Sequence, residues 1–293
     1  MPERNKTSKI NYRYLSNLDF AALHKTFVEA FSDYFVPFQL SEKQLENHVA
    51  QNSVELNLSV GAFTEKEMVG FTLNGFGAWN GKQTAYDAGT GVVPKFRGKG
   101  LGKGMFEFML PKLREINVEQ ILLEVITENK NAIRLYRNIG FEETRKFGYF
   151  EQEKASVFDA KNENCREIRE ITNPDWHLLK TFWDENTSWQ NSVEAVCRSL
   201  SPKIILGAYF GDKCVGYAIF NQSSGITEQL AVDRSYRRRG VASEILPAIQ
   251  SRLEKEKKIR VSNVDYALGN VFEFLKNRGF NKTLSQLEMI KVL

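Results

Sequence analysis

One order of landmarks occurs twice in this chain, and that duplication restricts its fold more than any single residue does. Val92 to Glu115 is built around Phe96-Arg97-Gly98-Lys99-Gly100-Leu101-Gly102, and Val232 to Glu254 around Tyr236-Arg237-Arg238-Arg239-Gly240-Val241-Ala242. Downstream, Asn131-Ala132-Ile133-Arg134-Leu135-Tyr136 leads to Gly140-Phe141, and Asn270-Val271-Phe272-Glu273-Phe274-Leu275 leads to Gly279-Phe280. Upstream, Asn17-Leu18-Asp19-Phe20 before Lys25-Thr26-Phe27 is echoed by Asn173-Pro174-Asp175-Trp176 before Lys180-Thr181-Phe182. Within 293 residues, a repeat at that spacing means two domains of ordinary size rather than a short-period solenoid. The polar run Ala160 to Asn164 reads as the linker, giving domains 1–161 and 162–293. The first copy carries extra residues around Phe31 to Gln51.

Hydrophobic periodicity predicts the elements of each copy. In the first copy, Ile10 to Leu15 reads as a strand, and Leu18 to Phe31 and Ser41 to Ala50 as helices with Asp19 and Ser41 as caps. Val54 to Phe63 and Glu67 to Trp79 read as strands, and Asn80-Gly81 as a two-residue hairpin turn into Gln83 to Val93. Helix Leu101 to Glu115, strand Glu119 to Ile126 and helix Asn131 to Asn138 follow. The second copy repeats this with strand Arg166 to Ile171, a helical stretch Trp176 to Leu200, three strands ending at Val232, helix Val241 to Glu256, strand Arg260 to Val264 and helix Val271 to Asn277. The expected fold is therefore mixed α/β, two tandem domains, each with a mostly antiparallel central sheet flanked by helices.

A net charge of +4 with acids interspersed among the bases argues against nucleic acid as a partner, while an anionic small molecule stays compatible. No apolar run is long enough for a membrane span and no export signal is visible. Cys165, Cys197 and Cys214 show no paired metal spacing, which fits reduced thiols in a cytoplasm and no metal site. His24, His48 and His177 are scattered and read as core or surface filler.

After the strand ending at Val93, the glycines from Gly98 to Gly104 suit a backbone that approaches a ligand closely and opens a helix, whose unpaired amides and dipole attract a pyrophosphate. Arg97, Lys99 and Lys103 add positive charge. A Walker loop is excluded because Gly102-Lys103 is followed by Gly104, and no G-x-G-x-x-G phasing occurs.

The run resembles R-x-x-G-x-G/A, the pyrophosphate-binding signature of the GNAT superfamily of N-acetyltransferases, once as Arg97, Gly100, Gly102 and again as Arg237, Gly240, Ala242. Asn129, Ala132, Leu135, Tyr136, Gly140 and Phe141 follow that family's downstream pattern. The resemblance implies acetyl-CoA as acyl donor and a small-molecule or peptide amine as acceptor. It further implies backbone contacts from Gly91, Val92 and Val93 to the pantetheine arm, loop contacts from Arg97, Gly98, Lys99, Gly100, Leu101, Gly102 and Lys103, and a cofactor contact from Asn129. The corresponding residues of the second copy are Leu230, Val232, Arg237, Arg238, Arg239, Gly240, Val241 and Ala242.

Acyl transfer to an amine needs a base for the ammonium and an acid for the departing thiolate. By resemblance, Tyr136 is the acid. Glu124, an acid inside an apolar strand, is the first candidate base and Asp87 the second. Tyr34, Phe35 and Phe38, between the first two helices, are candidate acceptor-pocket aromatics. The second copy has Leu275 and Asn263 at the Tyr and Glu positions, which leaves Glu228 as its candidate base. The first copy is thus the expected catalyst. The alternatives are a catalytic second copy beside a structural first one, and a non-catalytic acyl-CoA-binding module.

Overall fold

Asn80 and Gly81 both adopt positive φ, 50° and 78°, which is the backbone a tight hairpin turn demands and which Asn-Gly supplies at low cost. They join β3 (Met68–Trp79) to β4 (Lys82–Val92), the longest antiparallel pair of the first unit. The computed structural model describes residues 9–16, 20–35, 39–153, 167–254 and 256–293.

Around that hairpin the first unit places β1 (Asn11–Tyr14), α1 (Phe20–Ala30), α2 (Glu42–Gln51) and β2 (Val60–Phe63) before it, then α3 (Leu101–Glu115), β5 (Gln120–Ile126), α4 (Lys130–Ile139) and the first residues of β6 (Glu142–Gln152), most of which belongs to the second unit. Strands β1 to β4 form an antiparallel meander, and β5 joins β4 in parallel through the α3 crossover. Ser41 caps α2 in a reciprocal capping box with Gln44, as expected of a Ser with Gln three residues on. The Asp19 cap lies outside the described residues. One face of β5 (Ile121, Leu123, Val125) packs with Met105, Phe106 and Met109 of α3 and Ile133 and Tyr136 of α4 into a single core.

The expected strand Val54 to Phe63 is shorter. Ser59 donates its hydroxyl to the Glu55 carbonyl and accepts from the Asn74 amide, which folds residues 55–59 into turns, and Val54 keeps only a bridge to Gly75.

The second unit repeats the plan with β7 (Glu167–Glu170), α5 (Trp176–Lys180), α6 (Val193–Arg198), β8 (Ile204–Phe210), β9 (Lys213–Phe220), β10 (Ile226–Val232), α7 (Val241–Gln250), β11 (Arg260–Asp265), α8 (Gly269–Asn277) and the first half of β12 (Phe280–Val292), whose end belongs to the first unit. The helical stretch expected over Trp176 to Leu200 is two short helices, because Ser188 and Asn191 spend their polar groups on β11 and Ser192 caps a fresh start. Helix α7 stops at Gln250, where Ser251 turns its hydroxyl back onto the Ala248 carbonyl.

The expected boundary at 161/162 lies outside the described residues. By compactness, one unit runs to Thr144 and includes Leu287–Leu293, and the other is Arg145–Gln286. The last residues thus return to the first unit, where Leu293 donates to the Glu119 carbonyl and Met289 is fully buried. Among the described residues no helix is long and apolar enough to cross a membrane.

Candidate active site

Strand β4 carries one residue more than its partner: Leu73 faces Gly89 and Asn74 faces Asp87, so Ala88 is an unpaired bulge. Parallel pairing of β4 with β5 ends at the same place, the last pair being Asp87 with Leu123. Beyond it the two strands diverge and the β5-side edge of residues 88–92 is left without a ladder.

The bulge decides what Asp87 can reach. In a regular strand residues i and i+3 face opposite sides, yet here the Thr90 hydroxyl lies 3.0 and 2.9 Å from the two Asp87 carboxylate oxygens. The extra residue restores the parity. Tyr136 Oη donates to Asp87 Oδ2 at 3.1 Å, and the Gly89 amide donates to Oδ1 at 3.0 Å. Burial pushes the Asp87 carboxyl up from 3.8 to about 6, against the opposing pull of the Thr90, Tyr136 and Gly89 hydrogen bonds. Burial, and then the neighbouring Asp87 charge, hold the Tyr136 phenol well above its ordinary range.

Glu124, the first-ranked base on sequence grounds, lies on the face of β5 turned away from Tyr136. Leu123 and Val125 pack with Tyr136, so strict alternation sends the half-buried Glu124 to the opposite face. Of the two candidates it is Asp87 that contacts Tyr136. Tyr34 from the α1–α2 connection joins the cluster: it accepts a hydrogen bond from Asn129 and its phenol is raised by burial and then, against that bond, by the Asp87 charge. Asn129 does not stand ready for a ligand alone, because its Oδ1 also caps α4 at the Ala132 amide, 3.1 Å away. Phe35 is 59% exposed, and Phe38 lies outside the described residues.

The glycines of the loop divide into two kinds. Gly98 and Gly100 have φ of 73° and 79° with open space around them, and Gly100 opens α3 with no side-chain cap, leaving the first amides for a ligand. Gly102 and Gly104 are packing glycines: an added Cβ would lie 2.7 Å from Leu135 Cδ2 and 2.1 Å from the Tyr12 hydroxyl. Gly91 is likewise hemmed in by Phe71 and Ala30, and Leu101 is buried. The Val93 amide is used on the Val69 carbonyl, so the expected backbone contacts fall to the open edge before it. Lys103 pairs with Glu107 at 3.3 Å and Lys99 lies over Phe96.

Arg97 is engaged within the chain itself. Nε donates to the Val92 carbonyl (2.9 Å), one terminal nitrogen to the Ala30 carbonyl (2.8 Å), and both to the Asp33 carboxylate (2.7 Å). The fork ties the loop to the end of α1, and Asp33 is held below its usual range first by that hydrogen bond. Arg237 does the same in the second unit, with Val232 (3.0 Å), Phe182 (2.9 Å) and Asp184 (2.5 Å). Neither Asp33 nor Asp184 was singled out by sequence, and no local pattern marks them.

The second unit keeps this clasp and loses the proton-transfer cluster. Parallel pairing of β10 with β11 ends at Thr227 with Val261, and Glu228 is the bulge residue, so Thr227 stands where Asp87 does. Leu275 replaces Tyr136. Glu228, the candidate base of this copy, is paired with Lys203 at 2.5 Å with both side chains largely buried. A cleft of about 440 Å³ is lined by Leu230, Val232, Arg237, Arg238, Gly240, Val241 and Ala242, while Arg239 stacks on Tyr236.

The family described as "Acetyltransferase (GNAT) family" matches residues 21–141 and 164–280. Streptothricin acetyltransferase of Streptomyces lavendulae is 34% identical over 84 residues, and spermine/spermidine N(1)-acetyltransferase of Bacillus subtilis 31% over 88. Those stretches cover 29% and 28% of this chain and 42% and 58% of the relatives, less than two thirds of either. A tandem GNAT protein from the clavulanic acid biosynthesis pathway superposes with a TM-score of 0.73 at 10% identity over 97% of this chain and 98% of its own. A GCN5-related N-acetyltransferase from Sphaerobacter thermophilus gives 0.67 at 14% identity over 97% and 95%.

Proposed function

Because the chain belongs to the GNAT acetyltransferase family, we propose that its first unit transfers an acetyl group from acetyl-CoA directly to a primary amine, with Asp87 as base and Tyr136 as acid. The observation that carries this is the buried 3.1 Å contact between those two groups at the point where β4 and β5 part.

The residues present fit acetyl-CoA: the uncapped start of α3 after Gly100 offers amides to a diphosphate, and the open edge of β4 offers a ladder to an amide-bearing arm. When bound, acetyl-CoA supplies the activated acyl group and a thiolate leaving group.

Above about pH 6 Asp87 is ionised and accepts a proton from the acceptor ammonium. Once protonated, Asp87 turns from acceptor to donor toward Tyr136 Oη, which frees the phenolic proton for the leaving sulfur, while the second proton that the nitrogen loses as the amide forms is released to water. A phenol this far above its ordinary range is too weak an acid to protonate alone a thiolate whose conjugate acid lies near about 8.5. Relayed from a carboxyl near 6, the same transfer runs downhill.

The test is thiol release from acetyl-CoA with a panel of polyamine, aminosugar-type and peptide amines. Tyr136→Phe is expected to lower kcat by about 10²-fold with little change in KM. Full turnover in that variant sinks the acid assignment, and no turnover with any amine in the wild type sinks the activity.

A second reading concerns the other unit: its cleft, intact clasp and missing Asp–Tyr pair favour binding of acyl-CoA without transfer. Calorimetry with CoA is expected to give two equivalents per chain. One equivalent would leave the second unit a purely structural role.

A further inference from the structure

A short stretch of backbone, the bulge at Ala88, turns Thr90 onto the carboxylate of Asp87 that Tyr136 also meets, and a side chain from another element holds it. His48, half-buried in the last turn of α2, has Nε2 2.8 Å from the Ala88 carbonyl oxygen. Its other ring nitrogen, Nδ1, is 3.3 Å from Asn52 Nδ2.

The hydrogen-bond network assigns the proton positions. Asn52 Nδ2 also lies 2.9 Å from the His48 backbone carbonyl, which can only accept, so the amide orientation is the one with Nδ2 facing both groups. An amide nitrogen can only donate, so Nδ1 must accept. The proton therefore sits on Nε2 and is donated to Ala88. Burial lowers the His48 pKa, against the pull of the Ala88 carbonyl, and a second proton would have to displace the Asn52 bond.

The far end of the strut is anchored. Ser53 accepts from the Phe76 amide at 3.0 Å and Glu55 donates to the Asn74 carbonyl at 2.9 Å, both on β3 opposite the bulge. Gly75 allows this approach, since a Cβ there would lie 2.0 Å from the Asn52 carbonyl oxygen.

We propose that His48 is a positioning residue of the transfer centre: its Nε2–H holds the Ala88 carbonyl and thereby fixes the bulge that brings the Gly89 amide and the Thr90 hydroxyl onto the Asp87 carboxylate. It is a neutral strut and takes no part in proton transfer, although a histidine beside such a centre invites that role. The proposal rests on the reading of Asp87 and Tyr136 as the proton-transfer pair.

Two measurements on the full chain test it. Nitrogen-resolved imidazole NMR near neutral pH distinguishes the three histidines, His24, His48 and His177, with His48→Gln identifying the signal. The Nε2-protonated tautomer is expected, and the Nδ1-protonated form or the imidazolium overturns the proposal. In steady-state kinetics, His48→Leu is expected to lower kcat by about 10- to 100-fold, the effect of a small misplacement, with the KM for acetyl-CoA within about twofold. His48→Gln, whose amide reaches the same carbonyl, should restore most of the loss. Wild-type kcat in His48→Leu, or equal impairment in His48→Gln, overturns it. Should His48→Leu fail to fold, the tautomer and the His48→Gln rate still decide. If instead Asp87→Asn keeps full turnover while the tautomer is as expected, the assigned pair is wrong and not the strut.

Discussion

Asp87→Asn is expected to lower kcat by about 10²- to 10⁴-fold and at the same time to make the first unit more stable at pH 8. Both effects have one cause. The carboxyl is buried and its pKa rises from 3.8 in the unfolded chain to about 6 in the folded one. A raised folded-state pKa means that the folded state binds the proton more tightly, so the stabilising linkage is complete below pH 3.8 and is lost as pH rises through about 6. At pH 8 the ionised carboxylate therefore costs the fold about 3 kcal/mol, and a neutral amide of the same shape removes up to that amount. The amide cannot take a proton from an ammonium, so the rate falls. In the wild type kcat/KM should decline below about pH 6 as Asp87 becomes protonated, and Asp87→Asn should lack that limb. Thermal melts at pH 8 and pH 4 and a pH–rate profile check these statements together. A less stable variant at pH 8, or an unchanged acid limb, would show that Asp87 is not the ionised base.

Lys203→Met is expected to destabilise the second unit by about 3 to 5 kcal/mol and to leave acetyl transfer at its wild-type rate. Lys203 and Glu228 side chains are 10% and 7% exposed and 2.5 Å apart, so removing the ammonium leaves a largely buried carboxylate without its counter-ion. Replacing both residues by apolar ones of similar volume should recover much of the loss, because the penalty belongs to the unpaired charge and not to the absent pair. Chemical denaturation of the single and double variants measures the coupling. Loss of turnover in Lys203→Met at a temperature where the variant stays folded would mean that Glu228 works in the chemistry after all, and that the second unit is the catalyst.

Much of the architecture is legible without coordinates. The duplicated order of landmarks implied two copies of one fold, Asn80-Gly81 implied the hairpin, and Ser41 implied the start of α2, because each depends on residues near in sequence. The loop after Val93 was recognisable for the same reason: Gly98 and Gly100 mark a backbone that only glycine adopts easily. Tyr136 was found from a motif on its own helix. The helical stretch after Trp176 was overextended because Ser188 and Asn191 bond to a strand more than seventy residues on, which no local window contains.

What the amino-acid order determined by itself, then, was the repeat, the class of fold and the loop that opens α3. The tertiary structure alone decided that Asp87 and not Glu124 meets Tyr136, that Arg97 and Arg237 are spent on Asp33 and Asp184, and that His48 holds Ala88. The reason is parity and distance. Regular alternation along β5 turns Glu124 away from Tyr136 while register sets Asp87 beside Leu123, and the bulge after Asp87 brings Thr90 round to its carboxylate; each depends on pairing with a neighbouring strand, which is not written in the strand itself.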